Sequence, residues 1–351
     1  MDLISLSEWF TSKKRLLPWR QTNDPYAIWV SEIMLQQTQV AVVIPYFHRW
    51  MERFPTIEHL SLARLDDVLK TWEGLGYYSR ARNLHAAAQY LTEQCNGKLP
   101  NNEIDLKKIK GLGPYTIGAL LSFAFHQKKE AVDGNVIRVL TRYFGLKEDV
   151  SKQSTVKQIQ KIAFQLLPEN EPWVINEALI ELGATVCQKK PHCNVCPLQE
   201  HCQSYLRCET ETIPFNSKKI KIETLYRAVA VIQCESLFLV KRGAKGELMS
   251  DLYEFPYFSI LKGEFQPENF QKEITKTYAL QITKKALLKI ESQSFTRFQA
   301  KLFPMWFNCA APVPVEGYEW LSKQALNQLP FSSGHRRIFQ QILSGHLSLP
   351  T

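Results

Sequence analysis

No apolar run in these 351 residues reaches the roughly 18–20 positions that a membrane-spanning helix needs. The opening stretch, MDLISLSEWFTSKKRLLPW, lacks a basic n-region and breaks its apolar residues with polar ones. It is expected to be a first helix rather than a signal peptide, which predicts an intracellular protein without disulfides. No internal repeat or low-complexity segment occurs, and few stretches before residue 206 show the two-residue alternation of strands. A general basic surface is also missing from that half. It holds 24 Lys+Arg against 21 Asp+Glu, whereas the remainder holds 19 against 13, and the whole carries +9. A polyanionic partner is therefore to be met through local groups rather than a broadly positive body.

The composition itself, 45% apolar and 22% charged, permits sizeable cores, and the length suits about two domains of roughly 150 residues each. Residues 1–206 run through VSEIMLQQTQVAVVIPYFHRWMERF, LDDVLKTWEGL, ARNLHAAAQYLTEQ, YTIGALLSFAF and VIRVLTRYF, each with helical period and separated by Gly, Pro or Asn. This part reads as all-α. Residues 207–223, RCETETIPFNSKKIKIE, read as a linker. Beyond them YRAVAVIQ, SLFLVKR, AKLFPMWFN and YEWL are strand-like, with helical stretches near 267–280 and 334–344, so residues 224–346 are predicted to form an α+β domain.

Four of the eight cysteines fall in CQKKPHCNVCPLQEHC: Cys187, Cys193, Cys196 and Cys202, spaced C-x5-C-x2-C-x5-C. Four thiols so close in an intracellular loop point to a metal centre. Zinc usually takes two C-x2-C knuckles, so one knuckle with wider flanks fits an Fe–S cluster better, with zinc as the alternative. Residues 109–119, IKGLGPYTIGA, place Gly111 and Gly113 in a tight turn and Pro114 at a helix start. Backbone N–H groups at such a turn can bind phosphate; the bland alternative is a plain helix-turn-helix connection. From VDGNVIRV (132–139) onward, Val136, Val139, Leu140 and Tyr143 recur at helical spacing, which sets Asp133 at a helix entrance where an acid is a favoured cap.

Helix, GLG hairpin, helix, an aspartate eighteen residues after Tyr115, then a four-cysteine loop resembles the helix-hairpin-helix DNA glycosylases with a C-terminal Fe–S loop. Within that superfamily the chain is similar to the MutY adenine glycosylases over nearly its whole length. The motifs are LPWR (17–20), DPYAIWVSEIMLQQTQV (24–40), WEGLGYYSRARNLH (72–85), GLGPYTIGA, VDGNVIRV, NEALIELGA (176–184), the cysteine loop and LYEFP (252–256). The resemblance implies an all-α helix-hairpin-helix core followed by a Nudix-like domain. It also implies a [4Fe-4S] cluster on the four cysteines, and removal of adenine opposite 8-oxoguanine or G in double-stranded DNA by a monomeric protein of the bacterial cytoplasm and nucleoid.

The same resemblance assigns roles. Glu32, on an apolar helix, would protonate adenine; Asp133 would stay ionised beside the sugar cation. Tyr115 and Asn135 would hold the carboxylates and sugar. Gln37, Thr38, Leu75 and Tyr77 would fill the gap left by the extruded base or meet the opposite 8-oxoguanine, and Arg15, Trp19, Arg20, Leu35, Val40 and Glu177 would line the adenine pocket. The related endonuclease III carries a Schiff-base lysine where Tyr115 stands, so little or no strand cleavage is implied. In KEITKTYAL (272–280), Lys276 and Thr277 replace the paired glutamates of Nudix hydrolases, so that helix is expected to be structural. Two features depart from the family: the first cysteine gap is x5 rather than x6, and its Phe-Ser-His loop reads Phe295, Thr296, Arg297. The competing readings are an endonuclease III-like glycosylase/lyase and a non-catalytic Fe–S protein that binds DNA or senses redox state.

Overall fold

The computed structural model describes residues 1–218, 221–244, 246–247 and 249–344. Two positions of the KKIK cluster and the expected end of the second domain at residue 346 lie outside the described residues. The chain divides into two compact units, Met1–Leu62 with Asn83–Lys219, and Ala63–Arg82 with Ile220–Thr351.

Helices build the first unit. Leu3–Lys13 begins where Asp2 accepts the Ser5 N–H at 3.0 Å, and its Leu6 and Phe10 enter a core with Val136, Val139, Leu140, Ile175, Leu179 and Leu182. The apolar face of Gly134–Phe144 is thereby buried, and burying it fixes where that helix starts. Helix Pro25–Leu35 (PYAIWVSEIML) is apolar nearly all round, and every residue from Tyr26 to Met34 is buried. It is tied to the next helix, Val40–Arg53, because the Trp50 indole donates to the Tyr26 hydroxyl at 3.0 Å, which donates to the Phe54 carbonyl at 2.8 Å.

In the hairpin, Gly111 has φ +95°, and a Cβ there would stand 2.8 Å from that of Asn83. Only glycine combines that backbone angle with so close an approach. Gly113 precedes helix Pro114–Ala119, which runs on into a π-turn, Leu120–Ala124. Part of the expected linker is fastened to this unit: Arg142 Nε donates to the Ile213 carbonyl at 2.8 Å, Ile213 is buried, and Ser217 Oγ donates to Asp149 at 2.5 Å.

Among its described residues the second unit holds a mixed sheet of eight strands: β1 Glu223–Cys234, β2 Leu237–Arg242, β3 Tyr253–Glu254, β4 Tyr257–Ile260, β5 Ile282–Leu287, β6 Glu291–Phe295, β7 Phe298–Cys309 and β8 Glu319–Ser322. The central path is β3-β2-β1-β7-β5, with β1 and β7 parallel. β1 alternates its side chains between two cores. Val229 and Val231 join Phe331, Ile338 and Phe339 on one face; Ala228, Ala230 and Ile232 join Phe270 and Ile274 on the other. Helices Ser333–Ser344 and Pro267–Tyr278 cover these faces, at the two places where helical period predicts them. Ala63–Arg82 groups with this unit through Glu73, whose Oε1 accepts from Arg336 Nε at 2.7 Å and Phe331 N at 3.0 Å.

Candidate active site

Three ends of secondary structure in the first unit converge on one cavity of about 800 Å³. The buried helix Pro25–Leu35 delivers Glu32, the hairpin helix delivers Tyr115 from its first turn, and the entrance of Gly134–Phe144 delivers Asp133 and Asn135. Arg15, Trp19, Arg20, Leu35, Gln37, Thr38, Val40 and Glu177 line the same cavity. Twelve of the residues expected from sequence are thus brought together. Gln36, Phe123, Ile180, Ala184 and Gln188, which the motifs do not single out, line it too. Ile180 and Ala184 follow Glu177 at i+3 and i+7, so helical spacing is the signal that could have found them.

Glu32 is 6% exposed, and the Tyr115 hydroxyl donates to its Oε2 at 2.6 Å. Burial pushes its carboxyl up to about 7; the Tyr115 bond and Arg20 pull the other way, while Asp133 and Glu177 add repulsion. Burial and the neighbouring Glu32 also raise the Tyr115 phenol well above its ordinary value, so it serves as a fixed donor.

Asp133 caps its helix. Oδ1 accepts from Asn135 N at 2.9 Å and Val136 N at 2.8 Å, and Oδ2 accepts from Asn135 Nδ2 at 2.6 Å. Burial raises its carboxyl, and these bonds with Arg138 oppose the rise. Asn135 is itself held: Arg138 Nη2 donates to its Oδ1 at 2.8 Å and to the Gly183 carbonyl at 2.8 Å, and Arg138 Nε donates to the Cys187 carbonyl at 2.6 Å. A Cβ on Gly183 would sit 2.6 Å from that of Asn135, so helix Pro172–Thr185 approaches this closely only because residue 183 is glycine.

The other expected residues lie elsewhere. Gly111 and Gly113 form the hairpin turn and do not line the cavity. Leu75 and Tyr77 belong to the second unit, Leu75 buried and Tyr77 42% exposed. Phe295 ends β6, facing Phe298 of β7, with Thr296 and Arg297 as an exposed turn between them. Gln37, Tyr77 and Thr296 have positive φ, as do Asn96, His126, Glu171, Cys208, Glu235, Asp251 and Ala279, so this backbone angle does not set the expected residues apart.

Cys187, Cys193, Cys196 and Cys202 line a second, small cavity with Arg142, His192 and Tyr205. Arg142 Nη1 donates to the Cys187 sulfur at 3.4 Å, and the Cys202 thiol donates to the Arg142 carbonyl at 3.5 Å. Burial and neighbouring thiols push Cys193 and Cys202 up, and burial takes Cys196 to about 11. Among the described residues no group of three or more His, Cys, Asp or Glu is drawn together closely enough to hold a metal ion. The four thiols that line this cavity are soft donors of the kind that zinc and iron–sulfur centres take.

A model described as HhH-GPD superfamily base excision DNA repair protein matches residues 30–165. The adenine DNA glycosylase of Buchnera aphidicola subsp. Baizongia pistaciae (strain Bp) is 40% identical over 248 residues, which are 70% of this chain and 70% of that one. The adenine DNA glycosylase of Rattus norvegicus is 44% identical over 213 residues, 58% of this chain, and the chain covers only 41% of that relative. A solved thermostable thymine-DNA glycosylase is similar with a TM-score of 0.54 and 27% identity, over 59% of this chain and 95% of that one.

Proposed function

Because the chain belongs to the adenine DNA glycosylase family of HhH-GPD base excision repair proteins, we propose that it hydrolyses the N-glycosidic bond of adenine paired with 8-oxoguanine or G in double-stranded DNA, without cleaving the strand. The observation that carries this is the Tyr115–Glu32 bond of 2.6 Å in the cavity that also holds the capped Asp133.

Adenine leaves poorly as an anion, so a general acid must protonate it. Glu32, brought to about 7, holds a proton near neutrality and can give it to the purine. Loss of the base leaves positive charge on the sugar. Asp133 meets it as an anion, because its three N–H donors and the helix N-terminus favour the ionised form. Water then completes the hydrolysis at the sugar carbon, with Glu32, now deprotonated, placed to accept its proton. Imine-based strand cleavage requires an amine, and among the described residues no lysine lines the cavity. Tyr115 is instead spent on positioning Glu32.

In this reading Cys187, Cys193, Cys196 and Cys202 hold a [4Fe-4S] cluster. When bound, the cluster cross-links the loop and neutralises clustered thiolates. The protein's own contribution is Arg142, which braces the loop by donating to the Gln188 carbonyl at 2.6 Å. Gln37 and Thr38 contact DNA from the first unit, Leu75 and Tyr77 contact it from the second, whose Phe295–Arg297 turn reads the base opposite adenine, and the monomeric protein works in the cytoplasm on the nucleoid. Thr296 keeps a hydroxyl donor for a purine N7. Among the described residues no helix is long and apolar enough to span a bilayer.

The test is adenine release from an 8-oxoguanine:A duplex, with borohydride trapping in parallel. Release without a trapped adduct is the expected result. A trapped adduct would favour the glycosylase/lyase reading, and no release at all would favour the non-catalytic one.

A further inference from the structure

One carboxylate touches the cavity's arginines without touching the cavity. Glu181 lies one helical turn after Glu177 on Pro172–Thr185, and its side chain is 0% exposed. Arg15 grips it as a fork, Nε to Oε1 at 2.6 Å and Nη2 to Oε2 at 3.0 Å, and the Arg15 backbone N–H adds a bond at 3.2 Å. Arg20 Nη1 lies 3.0 Å from Oε2, while Arg20 Nε donates to Glu177 at 3.0 Å. The two glutamates therefore fix the plane of one guanidinium that lines the cavity. Burial alone would raise the Glu181 carboxyl, but the Arg15 bonds and the field of Arg20 lower it, so Glu181 is a permanent anion.

We propose that Glu181 is a positioning residue for base release: it orients Arg20 and cancels positive charge behind the cavity that holds Glu32. This rests on the assignment of Glu32 as the general acid. The charged and titratable groups facing Glu32 are Tyr115 from the hairpin helix, Asp133 from the next helix entrance, Glu177 from Pro172–Thr185, and Arg20 from the turn Pro18–Arg20. Among them Arg20 alone is cationic, and Glu181 and Glu177 are what balance it. Lys14 adds its field on Glu177.

Glu181→Gln keeps the shape and removes the charge. With Arg15 and Arg20 no longer balanced, the proton on Glu32 is held less tightly. The alkaline limb of the single-turnover pH–rate profile should move down by about one unit, which is roughly a tenfold loss of adenine release at pH 7.5. Glu181→Asp, which restores the charge, and Arg15→Gln/Glu181→Gln, which restores the balance, should both bring the limb back. A folded Glu181→Gln protein whose limb stays in place overturns the proposal. Should that variant fail to fold by circular dichroism, Arg15→Gln alone decides, because loss of a cation must move the limb up and a fixed limb overturns the proposal equally. A wild-type protein with no alkaline limb near neutrality, or a Glu32→Gln variant that still releases adenine, would instead remove the Glu32 assignment.

Discussion

Glu32 is tuned at a cost to the fold, and replacing it should expose that cost. Its ordinary carboxyl value of 4.5 is raised to about 7 in the folded protein. The folded state therefore holds the proton more tightly than the unfolded chain does. Stability from this group is fully present below pH 4.5 and is lost as pH rises through 7. Holding that proton at about 7 rather than 4.5 corresponds to about 3 kcal/mol above pH 7. Glu32→Gln keeps an acceptor for the Tyr115 hydroxyl and has nothing to ionise. It should be as stable as wild type at pH 4.5 and about 3 kcal/mol more stable at pH 8, roughly 6–12 °C in the first thermal transition at about 2–4 °C per kcal/mol. Melts followed by circular dichroism at both pH values test this. An equal difference at the two values, or a less stable variant at pH 8, would refute the claim that burial of an ionisable Glu32 is what sets its acidity.

Tyr115→Phe removes the donor that favours ionised Glu32, so the alkaline limb of adenine release should rise by about one unit; a limb that stays put would detach Tyr115 from the titrating group. Gly183→Ala forces a Cβ against Asn135 at 2.6 Å, and since Asn135 holds Asp133, release should fall by roughly 10²-fold, read as single-turnover rate on folded protein. Thr296→Ala should lower the preference for adenine opposite 8-oxoguanine over adenine opposite G; an unchanged ratio removes Thr296 from the recognition set. Cys196→Ser should abolish an absorbance band near ~400 nm that purified protein is expected to show, whereas a colourless wild-type protein carrying zinc by elemental analysis would replace the cluster with a zinc site.

Much of the site was legible because it is local. VDGNVIRV places Asp133 before a helix of period 3.6, and burial of Val136, Val139 and Leu140 puts the acid at the entrance. PYAIWVSEIML is apolar around its full circumference, which marks Glu32 as an acid forced into a core. Contacts between distant segments were not legible. Tyr115 and Glu32 are 83 residues apart, and Arg15 and Glu181 are 166 apart. Glu181 at i+4 from Glu177 reads as an ordinary solvated helix face, and only the fold shows it to be wholly covered. In the second unit β5 (ITKKAL) and β6 (ESQSF) escaped notice because, among the described residues, each pairs with β7 alone, leaving room for polar residues that mask the strand pattern. The grouping of Ala63–Arg82 with that unit depends on Glu73 meeting Arg336 and Phe331, partners more than 250 residues away.

The central claim is a division of labour between a protonated and an ionised carboxyl, and single-turnover release of adenine from an 8-oxoguanine:A duplex near pH 7 tests it most directly. Wild type should release the base, while Glu32→Gln and Asp133→Asn, each shown to be folded, should be slower by at least roughly 10²–10³-fold. Release by either variant at the wild-type rate would contradict it.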